Sequence, residues 1–276
     1  MMFGISAGDL AILAVGLVAS GAITGVLAGV FGVGGGAVIV PVLYELFRLI
    51  GVPDDVRMAL CVGTSLAIII PTSIASFRAH RKRGTVDMDI LRAWAVPVVI
   101  GVILGAAAAR FAAPAVFQLV FVLVAGVNAV RLIGDFNWRL GTDMPKGALM
   151  RAYGLMIGVL SALMGIGGGQ ISTMLMTFYK RPIHQAVSTS AGMGVLISIP
   201  GAIGYMAAGF GKAGLPPLSV GFVSFIGVLL FAPVSIFTAP LGARLAHAMS
   251  KRKLEVAFGL FLAVVSIRFV MSLAGL

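Results

Sequence analysis

Ten apolar runs, separated by short loops that carry most of the charge, leave this chain few ways to fold. They cover residues 8–32, 36–50, 57–77, 89–109, 114–133, 150–167, 170–180, 185–208, 217–243 and 254–274. Eight of them approach or exceed the roughly 17–25 residues that cross the hydrocarbon core of a bilayer as a helix. Charged residues make up 11% of the chain, against about a quarter in a soluble protein. So little polar surface cannot face water, and in lipid a backbone satisfies its own polar groups only as helices or closed barrels. Runs of this length predict an all-α, multi-pass membrane protein. The first run has no basic segment before it and no small-residue cleavage site after it, so it reads as a retained helix rather than a signal peptide.

The runs fall into two related sets. Residues 25–36 read GVLAGVFGVGGG and residues 158–169 read GVLSALMGIGGG. GTSLAIIIPTSIAS from Gly63 corresponds loosely to STSAGMGVLISIPGAIGY from Ser188. Phe121, Leu123 and Arg131 fall opposite Phe258, Leu260 and Arg268, and Gly105-Ala106 opposite Gly242-Ala243. One matched glycine run arises easily by chance; four matches in the same order do not. The expected organisation is a first repeat over 1–133, a cytoplasmic linker over 134–149 and a second repeat over 150–276. Each repeat has about five segments, with a glycine-rich break followed by a short helix.

Five is an odd number, so the repeats are expected to be inverted. With both termini outside, 15 of the 20 Lys and Arg lie on the inner side, in loops around Arg78–Arg92, Arg131–Arg151, Lys180–Arg181 and Arg244–Lys253. That asymmetry follows the positive-inside rule. Parallel repeats, in which the short segments re-enter without crossing, would put Lys251–Lys253 opposite Arg78–Arg83. Whether 36–50 and 170–180 cross fully is left open. The net charge of +11 is thereby explained by orientation, and no basic face with interleaved aromatics points to nucleic acid.

The glycine triplets, Gly34-Gly35-Gly36 and Gly167-Gly168-Gly169, each precede one of the two short segments. Three glycines in a row break a helix and free backbone N–H groups at the start of the next, where an anion is readily held. Small residues also let membrane helices meet closely. Matched positions in both halves, each before a short segment, favour a binding site near the midplane. Thr64-Ser65 and Ser188-Thr189-Ser190 could donate to an oxyanion or back-bond to their own helices. Gln170, directly after the second triplet, could reach the same ligand. Pro71 and Pro200 correspond approximately and read as hinges that kink or break the third segments.

Ionisable residues within the runs are scarce. Asp9, Asp89 and Glu255 stand at segment starts, and Glu45, one turn from Arg48, reads as a structural pair. His184 reads as a surface loop residue. The single cysteine, Cys61, allows no internal disulfide, and no CxxC or HExxH spacing suggests a metal, so no cofactor is expected. An intramembrane hydrolase would need a paired nucleophile and base; there is no GxSxG, and His184 is the histidine nearest in sequence to Ser188–Ser190. The loops are too short to form a partner-binding domain. Membrane lipid and a small anionic substrate are the expected partners.

GVFGVGGGAVIVPVL, MGIGGGQISTML, Ala59–Ser65 read loosely and Ala186–Ser190 together resemble the sulfite exporter TauE/SafE family, the TSUP transporters. The resemblance covers essentially the whole chain as a pair of repeats. It implies a secondary transporter of sulfite, thiosulfate or organosulfonates in the bacterial inner membrane, with the glycine triplets and Thr-Ser pairs as substrate contacts. Some members serve other organic anions. Proton or sodium coupling and a homodimer are both compatible with it. The second half departs from the pattern where Met174 replaces the equivalent of Pro41 and Ser188 that of Gly63.

Overall fold

The computed structural model describes residues 15, 18–19, 21–27, 36–136 and 139–274. The predicted first run, 8–32, lies mostly outside them, as do Asp9, Gly34 and Gly35. Residues 21–27 are helical (α1). The helices that follow are α2 (Gly36–Leu49), α3 (Asp54–Lys82), α4 (Met88–Ala109), α5 (Pro114–Gly134) and α6 (Ala148–Met164). After these come α7 (Gly169–Phe178), α8 (Ile183–Ala208), α9 (Phe225–His247) and α10 (Lys251–Leu273). Among the described residues the fold is all-α save for a two-stranded hairpin, β1 (Ser219–Val220) and β2 (Val223–Ser224).

Local chemistry explains most of the boundaries. Prolines 53 and 182 stand at the N-caps of α3 and α8, and Pro114 opens α5, where a missing N–H costs nothing. Asp87 caps α4 by accepting from the Ile90 N–H at 3.1 Å, and Ser250 caps α10. α6 stops at Met164 rather than 167 because Gly165 adopts the left-handed conformation (φ 67°) that ends a helix. The predicted run 217–243 does not begin as a helix. Gly214, Pro216, Pro217 and Gly221 divert it into the hairpin, and α9 starts at Phe225. Pro71 and Pro200 do not break their segments; both lie inside continuous helices.

α3 and α8 form an antiparallel pair through the centre. Gly63 meets Tyr205, Leu66 meets Gly201, Ser73 meets Gly194 and His80 meets Ser188. α5 and α10 are likewise antiparallel: Gln118 bonds Ser272, and Phe121 stacks edge-on to Phe269. α4 and α6 run parallel, with Trp94 Nε1 donating to the Met150 carbonyl and Gly101 and Gly158 in backbone contact. Gly21 and Gly25 of α1 meet α9 at Phe231 and at Ser235 and Thr238, which makes that pair parallel too.

α2 and α7 both start in the middle of the bundle, where Gly36 abuts Gly165 and Ile166. α2 then leads into the start of α3, and α7 into the start of α8. Because α3 and α8 are antiparallel, the two short helices run to opposite ends. The basic loops share one end, tied by hydrogen bonds from Leu140 N to the Phe178 carbonyl, from Asp87 N to Thr189, and from Arg252 to the Leu132 and Ile133 carbonyls. Among the described residues, five helices are long and apolar enough to cross a membrane: α3, α4, α5, α8 and α10. Large apolar side chains such as Ile103 and Leu104 on α4, Leu119 and Leu123 on α5, and Val264 and Ile267 on α10 cover their outer faces. Such a belt is stable in lipid and not in water.

Candidate functional site

A cavity of about 550 Å³ runs from the second glycine loop to the basic end of the bundle. Ile69, Thr72, Ser73 and Ser76 of α3 line it, with Gln170, Thr173, Met174 and Thr177 along α7 and Val187, Ser190, Ala191 and Gly194 on α8. Asn128, Arg131 and Leu132 of α5, Asp135 and Phe136 just beyond it, Ile183 at the start of α8, and Leu254, Glu255 and Phe258 of α10 form the rest, with Gly167 and Gly169 at the deep end.

The deep end is built by the glycines. Gly168 adopts φ 70°, a left-handed conformation that favours glycine, and a side chain there would displace the tip of Ile197. No side chain caps α7 among the described residues. Helix geometry therefore leaves its first N–H groups without intrahelical partners, and they carry partial positive charge. Gln170 stands beside them. It is 8% exposed, and neither its amide nitrogen nor its amide oxygen has a hydrogen-bond partner among the described residues. Leaving a buried polar group unsatisfied costs about 1–3 kcal/mol. A carboxamide buried without partners and lining a cavity is a donor and an acceptor held ready for a guest.

The other expected contacts divide. Gly167, Gly169, Gln170 and Ser190 line the cavity; Gly36, Gly168, Thr64, Ser65, Ser188 and Thr189 are not in its lining. Thr64 and Thr189 are fully buried, and each holds the start of another helix. Thr64 Oγ1 accepts from Ser224 N at 3.0 Å, and Ser224 Oγ accepts from Gly227 N near the start of α9. Thr189 Oγ1 accepts from Asp87 N at 2.9 Å, and Asp87 caps α4. Ser65 donates to the Gly165 carbonyl at 2.8 Å, which fixes the approach to the glycine loop. Ser190 donates to the Val187 carbonyl, its own helix.

Ser188 donates to the His184 carbonyl and lies 3.1 Å from His80 Nδ1, so the histidine that reaches it is His80 on α3, not the exposed His184. Ser188 is 2% exposed and is not in the cavity lining. The Glu45–Arg48 pair forms as expected at 2.8 Å, and Glu45 also pairs with Arg268 at 3.0 Å. Among the described residues no group of three His, Cys, Asp or Glu could hold a metal.

Several lining residues carry little signal in the sequence. Ser73, Ser76, Asn128, Thr173 and Thr177 are small polar residues scattered through apolar runs, and only the fold brings them around one cavity. Arg131 does carry one, since it lies inside an apolar run and recurs as Arg268. Its nearness to the charges of the linker masks that signal.

The family described as "Sulfite exporter TauE/SafE" matches residues 17–269. A probable membrane transporter protein of Haemophilus influenzae is 32% identical over 248 residues, 90% of this chain and 94% of that protein. A probable membrane transporter protein of Methanocaldococcus jannaschii is 29% identical over 259 residues, 91% of this chain and 93% of its own. The probable membrane transporter protein YunE of Bacillus subtilis is 24% identical over 274 residues, 92% and 96% of the two chains. No solved structure matches. A match across nearly the whole chain, on a helical fold with a lipid-facing belt, places this protein in the sulfite exporter TauE/SafE family of membrane transporters.

Proposed function

We propose that the chain is a secondary transporter of a small sulfur-containing anion, sulfite, thiosulfate or an organosulfonate, in the bacterial inner membrane. The observation that carries this is the unpartnered carboxamide of Gln170 at the uncapped start of α7, inside the cavity. Orphan N–H groups, the helix dipole and the amide N–H together suit an oxyanion. Gly167 and Gly169 complete the deep site, and Ser190 lines the same cavity. A cavity of this volume, walled in part by Ile69, Met174 and Phe258, leaves room for an organic portion, which favours an organosulfonate or another organic anion over a bare oxyanion.

Transport by alternating access needs a second state open to the other end. Support comes from the exchange of partners between halves: α3 pairs with α8 and α5 with α10, both antiparallel, while α1–α9 repeats the parallel α4–α6 contact. Repeats 1–133 and 150–276, inverted and joined by the linker 134–149, account for all four. In that reading Pro71 and Pro200 are the flexing points, because each removes one hydrogen bond from a central helix. The test is flux of radiolabelled sulfite, thiosulfate and sulfoacetate in reconstituted vesicles. Saturable transport of one of them is expected; no saturable flux of any small anion overturns the reading.

A further inference from the structure

Among the described residues, Arg131 is the one Lys or Arg that lines the cavity. It lies in the last turn of α5, half-buried, with its guanidinium turned toward α7. Nη2 donates to Thr177 Oγ1 at 3.2 Å, and Cζ sits 4.9 Å from the centre of the Phe178 ring. Thr177 Oγ1 donates in turn to the Met174 carbonyl at 2.7 Å, so its lone pairs are left for the arginine. Those partners hold the guanidinium in place and bring no charge.

The matching half shows what that means. The counterpart of Arg131 is Arg268, and the counterpart of Phe178, 133 residues earlier, is Glu45. Arg268 is ion-paired there with Glu45, at 3.0 Å, a carboxylate that it shares with Arg48. Where one half sets a carboxylate against its arginine, the other sets an aromatic ring and leaves the positive charge to the cavity. A charged side chain retained within a membrane helix is costly, and a cation–π contact does not cancel it.

We infer that Arg131 is a second anion station, at the mouth of the cavity, which receives the substrate before Gln170 holds it. This rests on the transport reading. Thr177 is seven residues from Gln170 along α7, about 10 Å at 1.5 Å per residue. An oxyanion therefore visits the two stations in turn, while a longer organic anion spans the space between them. Glu255, across the mouth, attracts the same guanidinium and competes with the substrate for it. Asp135 adds a second carboxylate to the lining near Arg131.

Opposite shifts in half-saturation test this, measured on vesicles with whichever of sulfite, thiosulfate or sulfoacetate the wild type carries. Arg131→Gln is expected to raise half-saturation roughly 10- to 100-fold, the loss of a hydrogen bond to a charged group. Arg131→Lys should recover part of that, and Glu255→Gln should lower half-saturation below wild type by removing the competitor. Arg268→Gln, the control in the other half, should lower thermal stability and leave half-saturation unchanged. Wild-type flux with half-saturation unmoved in Arg131→Gln overturns the station alone; absence of wild-type flux overturns the transport reading with it. Should Arg131→Gln not purify as a monodisperse protein, Arg131→Lys against Glu255→Gln decides. Shifts of opposite sign support the station, and equal or absent shifts overturn it.

Discussion

In the two-repeat reading the far ends of α2 and α7 are counterparts, yet the surroundings of Tyr44 are packed with rings while those of Thr177 open into the cavity of about 550 Å³. At the α2 end, Tyr44 OH bonds Ser272 Oγ at 3.0 Å and accepts from Gln118 Nε2 at 3.2 Å. Its ring packs edge-on against Phe269, and Phe269 against Phe121. At the α7 end the counterparts of Tyr44 and Phe269 are Thr177 and Leu132, and both line the cavity. The counterpart of Gln170 is Ala37, 1% exposed and apolar. Two aromatic rings traded for a threonine and a leucine leave more space; one alanine traded for glutamine gives it a polar floor. In the two-repeat reading, duplication supplied similar frames and later divergence furnished one of them as the site.

The largest effect should come from refilling the hollow end. Thr177→Tyr with Leu132→Phe copies the α2 end into the α7 end and is expected to cut flux by about two orders of magnitude, some 3 kcal/mol, while the protein stays folded. Vesicle flux beside size-exclusion chromatography reads both. Flux near wild type would show that the cavity is not the path.

Gln170→Leu should follow, with effects of opposite sign on function and stability. Removing two unsatisfied buried polar atoms is expected to stabilise the fold by about 1–3 kcal/mol, and flux is expected to fall about tenfold, near 1.4 kcal/mol. Thermal unfolding and initial rates measure the pair. A loss of stability would mean that Gln170 is part of the packing rather than of the site.

Thr64→Val and Thr189→Val probe a part of the comparison in which the halves agree. Each removes the acceptor of a buried N–H that anchors a helix start, so each should cost about 1–3 kcal/mol of stability and leave half-saturation unchanged. A shift in half-saturation for Thr189→Val alone would return that residue to the substrate. The smallest effect is expected from Glu45→Gln. Its side chain is 37% exposed and its partner Arg268 33%, and ion pairs of that exposure contribute roughly 1 kcal/mol or less.

The same residues mark how far the amino-acid sequence alone reaches. The starts of α2 and α7 at Gly36 and Gly169 are legible in it, because consecutive glycines end a helix whatever surrounds them. The basic end is legible from Arg78–Arg83 and Lys251–Lys253, since orientation depends on loop charge alone. Gln170 stands out by its place next to a glycine loop. The Thr-Ser pairs stand out too, but not their work. A hydroxyl in a membrane helix looks the same whether it meets a substrate or the N–H of Ser224 or Asp87, some 100 to 160 residues away. The meaning of Arg131 is hidden because it depends on Phe178 standing where the other half has Glu45, a contrast that emerges only once the Arg131 side chain reaches Thr177 and Phe178 of α7. The hairpin at Ser219–Ser224 is masked by apolar residues that suit a strand as well as a helix.

Cysteine accessibility tests the central claim most directly, at Thr173 in the cavity and at its counterpart Val40, which is fully buried on α2. The native Cys61 is buried and serves as background. In purified protein, Thr173→Cys is expected to react with a polar maleimide and to be protected by sulfoacetate, while Val40→Cys stays unreactive under the same conditions. Equal labelling at both positions, or labelling of Thr173→Cys that neither sulfoacetate nor any transported anion slows, would contradict the assignment of the anion site to the α7 half.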